Sequence, residues 1–172
     1  EDCLFLKKQE LKRANLLLEK IIQCLVKSLI KILLKNELKK LSFRRGSIAK
    51  MLYVFYLIQI KRAAKDARQP RNIAQVNLVD YKDDLLYIYQ GICSKWDAGM
   101  HNIESVWDNG SNDFANALSS IRRSFDDIFD VKSIQPKCYS IEIMGNGKLG
   151  SLYGIQLDPD DIELGWPYDR MV

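Results

Sequence analysis

Residues 145–150 read Gly145-Asn146-Gly147-Lys148-Leu149-Gly150, a letter-for-letter match to G-x-G-x-x-G. In that pattern glycines let a backbone close around phosphate groups. A dinucleotide site needs a helix directly afterwards, because the pyrophosphate rests on that helix's N-terminus. Here Ser151-Leu152-Tyr153-Gly154 reads as a returning strand. Strand–loop–strand is the arrangement of a kinase glycine-rich loop, with Leu152 in the place of its valine, but no Lys follows Lys148 to complete that chemistry. A hairpin turn is the expectation for this segment. A nucleotide-binding or enzymatic subunit using Gly145–Gly150 is kept as a second alternative.

His101 is the single histidine, so paired-His chemistry is out of reach, and a hydrolytic triad would have to use it as base. No G-x-S-x-G supplies a nucleophile elbow. Two acidic groups could hold a cation: Asp126-Asp127 with Asp130, and Asp158 with Asp160, Asp161 and Glu163. The second has the opening of a calcium loop but carries Glu163 where a Gly is needed and Asp169 at the twelfth position. In the first, only Asp126 and Asp130 share a helix face. Both are expected to be solvated acid. The cysteines, Cys3, Cys24, Cys93 and Cys138, contain no C-x-x-C, which removes zinc knuckles and thioredoxin-like pairs. No catalytic residue, metal site or cofactor is assigned, and free thiols in a reducing, intracellular and cytoplasmic setting are expected.

The basic residues are the strongest candidates for a binding surface. Residues 1–71 hold 18 Lys and Arg against 6 Asp and Glu, a net of +12, while residues 72–172 hold 8 against 16, a net of −8. The modest total of +4 therefore hides a polarised molecule, one half suited to a polyanion, to an acidic partner, or to the other half. Lys27, Lys31, Lys35, Lys39-Lys40 and Arg44-Arg45 precede a second cluster, Lys61, Arg62, Lys65, Arg68 and Arg71. Such arrays meet phosphate backbones through counterion release, so a nucleic-acid-binding subunit using the clusters of residues 27–71 is the first alternative. A basic amphipathic helix also suits an anionic membrane surface or an acidic groove. Against these stands a solvated lysine-rich face neutralised by the acidic half of the same chain. Tyr53 and Tyr56 lie within an apolar run and are expected in the core, not as base-stacking platforms.

The elements that carry these groups are read from periodicity. From Leu4 to Leu41 there is no Gly or Pro, and a stripe of Leu11, Ala14, Leu18, Ile22, Leu25, Leu29 and Ile32 predicts a helix. Apolar residues cover more than one face of it, so it needs neighbours on more than one side. After Arg44-Arg45-Gly46, Ser47 is a candidate N-cap for a helix running to about Ala67. Its cations Lys61 to Arg68 lie where the helix dipole favours them. Leu85, Tyr89, Ile92, Trp96, Met100, Ile103 and Trp107 predict a helix of about 28 residues from near Asp80, ended by Asn109-Gly110. Phe114, Leu118, Ile121, Phe125 and Ile128 predict another, to about Val131. Tyr139, Ile141 and Ile143 alternate with polar residues as a strand, Gly145-Asn146-Gly147 offers the turn, and 151–157 returns.

The expectation is a mainly α protein: a bundle of four or five helices closed by a small C-terminal β-hairpin. Residues 1–135 would form the helical domain, basic over 1–71 and acidic over 72–135. Residues 136–172 would form the hairpin and an acidic tail. No stretch reaches the roughly 18 apolar residues of a membrane span. The chain opens Glu1-Asp2-Cys3 instead of with Met, which fits a fragment or a processed chain. The expected function is a non-catalytic interaction or assembly module. Leu18, Ile22, Leu25 and Leu29 of its first helix would dock on a protein partner or on a second copy of the chain.

Overall fold

The computed structural model describes residues 47–92, 103–108, 110–128, 138–165 and 167–172. Contacts divide the chain into residues 1–41 and 42–172, and every described residue lies in the second unit. The first helix expected from the sequence, with Leu18, Ile22, Leu25 and Leu29, lies outside the described residues, as do His101, Trp96 and Asp130.

Helix α1 (Ser47–Lys65) is the centre of the unit. Met51, Leu52, Tyr53, Phe55, Tyr56, Ile58, Gln59 and Ile60 are all buried. A helix apolar on every side must be surrounded. Helix α2 (Lys82–Ile92) and helix α3 (Asp113–Ile128) supply two of the surrounding walls. Aromatic rings tie the layers together: Tyr53 meets Phe125 of α3 at 5.3 Å between centroids, and Phe55 meets Tyr81, just before α2, at 5.4 Å. Edge-on and tilted ring pairs add to plain area burial. Burial also pushes the Tyr53 and Tyr56 hydroxyls far above the ordinary tyrosine range, and Tyr56 Oη donates to the Ile73 carbonyl at 3.3 Å. Among the described residues no helix is long and apolar enough to cross a membrane.

The bundle expected from the sequence is not what forms. Among the described residues the architecture is three α-helices with a three-stranded antiparallel sheet, strand order β1-β3-β2. Strand β1 (Ile73–Ala74) is two residues long and pairs Ile73 with Tyr153 and Ala74 with Leu152 of β3 (Gly150–Gly154). Two residues carry no readable periodicity, so a third strand could not be anticipated from spacing. The sheet joins the helices through Tyr153, whose ring stands edge-on to Phe114 of α3 at 4.9 Å.

The 28-residue helix is also revised. Residues 75–81 form a 3-10 helix before α2, and Glu104–Val106 winds as a 3-10 turn, with 93–102 outside the described residues. Tighter winding places i and i+3 in line, which buries Ile103 and Val106 together and leaves Trp107 half-buried. The Gln75 amide donates to the carbonyls of Val106 (3.0 Å) and Asp108 (3.3 Å), satisfying groups that the end of a helical turn leaves open.

Candidate functional site

The hairpin carrying the glycine pattern is built from β2 (Glu142–Gly147) and β3. Its turn is Lys148-Leu149, flanked by the pair Gly147↔Gly150, and not Gly145-Asn146-Gly147 as expected. A two-for-one irregularity between Ile143 and Gly145 absorbs the register change. The described residues contain no non-glycine with positive φ, and Gly150 (φ 124°) takes the left-handed step after the turn. Of the stretch expected to make the turn, Gly145 has positive φ and Gly147 does not. The chain runs from Gly150 directly into β3, so no helix follows the loop. Lys148 and Leu149 are exposed at the tip, and Ile143 is 60% exposed on the edge strand.

The acidic groups resolve as local structure. Asp158 caps the 3-10 turn Pro159–Asp161, its Oδ1 accepting from the Asp160 amide at 3.0 Å. Asp126 is exposed on α3. Among the described residues no three His, Cys, Asp or Glu side chains come together as a metal-holding group. Cys138 is a free, half-buried thiol.

The cationic end of α1 is the most organised polar feature. It forms because α1 runs on past its buried stretch into Lys61-Arg62-Ala63-Ala64-Lys65, with Arg62 and Lys65 in the last turn, where the helix dipole favours positive charge. Lys61 Nζ donates to the Pro159 carbonyl at 2.8 Å. Arg62 reaches three elements. Its Nε donates to the Met171 carbonyl at 2.7 Å, and both terminal nitrogens hold the Asp84 carboxylate of α2, Nη2 to Oδ1 at 3.2 Å. That fork-to-carboxylate geometry is the strong form of an ion pair, and both side chains are largely shielded. Lys65 Nζ donates to the Val172 main-chain oxygen at 3.4 Å. Arg71 Nη2 donates to the carbonyls of Ile155 (3.3 Å) and Leu157 (2.5 Å). Arg68, its side chain 90% exposed, folds back on Asp66 at 3.0 Å and holds that carboxyl below its usual range.

Four of the five cations therefore grip the C-terminal segment from Ile155 to Val172, and they do so through main-chain oxygens. Of these four, only Arg62 has a side-chain carboxylate partner among the described residues. Sequence reasoning singled out the cations but not their partners, since a main-chain carbonyl has no sequence signature. Two further features escaped it. Gln59 is fully buried on α1 with neither amide atom hydrogen-bonded, and its one readable signal was a polar residue breaking the run from Met51 to Ile60. Tyr168 lies against Gly91 so closely that a Cβ there would stand 2.8 Å from its hydroxyl.

No protein-family model, no curated protein and no solved structure matches this chain.

Proposed function

We propose that this protein is a non-catalytic interaction or assembly module. Its Leu/Ile-rich N-terminal segment docks on a partner chain or on a second copy, through Leu18, Ile22, Leu25 and Leu29. The observation that carries this reading is the division of the chain into residues 1–41 and 42–172. A unit of about 40 residues rarely buries enough apolar surface by itself and usually relies on association, a metal or disulfides. Between Leu16 and Leu34 the sequence holds 12 Leu, Ile and Val in 19 residues, more than one helix face can take. The cations of residues 61–71 lend less weight to a nucleic-acid role in the free chain, because each of them already has a partner within residues 42–172.

Light scattering on the full chain tests the proposal. The wild type is expected above monomer mass, or as a stable complex with a partner retained through purification. The double substitution Leu25→Asp with Leu29→Asp is expected to reduce it to a monomer free of that partner. A folded double variant with unchanged mass and unchanged partners contradicts the proposal.

A further inference from the structure

We draw no further inference here: the strongest candidate, the outer edge of strand β2 with exposed Ile143 and the exposed hairpin tip at Leu149, is interrupted by the irregularity between Ile143 and Gly145, and nothing in the structure shows what covers it.

Discussion

Helix α1 contains two regions of opposite character. From Met51 to Ile60 it is buried on nearly all sides by rings and aliphatic chains, and its one polar residue there, Gln59, has no hydrogen-bond partner. From Lys61 onward the same helix is charged, and its side chains reach across to carbonyls about 100 residues away in sequence. The first region holds the unit together by excluding water. The second holds a segment by directional contacts that remain within reach of solvent and salt. The lesson is that cation-rich sequence does not by itself mark an open surface, because backbone oxygens can take up the donors.

The comparison is broken most severely from the buried side. Phe55→Ala removes a fully buried ring that meets Tyr56 and Tyr81. It should cost about 3–5 kcal/mol by urea denaturation, the range for losing a large core side chain and leaving a cavity. Alkali attacks the same region next. Tyr53 and Tyr56 keep their protons in the folded state well above the ordinary value of 10.0, whereas the unfolded chain releases them there. The stability they contribute is whole below pH 10. It is lost as pH rises from 10 toward their folded values, at about 1.4 kcal/mol per pH unit for each tyrosine. Tyr53→Phe should flatten that loss in denaturation midpoints measured between pH 9 and 12.

A smaller change has the opposite sign. Gln59→Met keeps the size of the side chain and removes two buried polar atoms that lack partners. It should stabilise the unit by about 1–2 kcal/mol, read as a rise in urea midpoint at unchanged m-value. At the charged end, Arg68→Ala should leave the midpoint where it is, since an exposed pair with Asp66 is screened by water and salt. A clear loss of stability there would erase the distinction between the two regions.

The legible parts of the sequence were those with a long apolar period. α3 follows its spacing, burying Phe114, Ile121 and Phe125, and α1 starts at Ser47. The rest depended on partners distant in sequence. Strand β1 exists because β3 is there to pair with it, and the stretch around Ile103 winds more tightly than a 3.6-residue repeat assumes. The hairpin turn moved to Lys148-Leu149 because Gly150 accepts the left-handed conformation just after it. At the candidate site the cations could be named in advance, as could a polarity between the two halves. Their attachment to the carbonyls of Pro159, Met171 and Leu157 could not, because every residue offers the same oxygen.

Native-state hydrogen exchange along α1 and the C-terminal segment tests the division most directly. Amides from Phe55 to Ile60 should exchange only through global unfolding, with the full free energy and denaturant dependence of the unit. The Tyr168 and Asp169 amides, bonded to the Gly165 carbonyl, should exchange through a smaller local opening that widens as salt weakens the contacts of Arg62 and Lys65. Equal protection in both regions, unaffected by salt, would contradict the account.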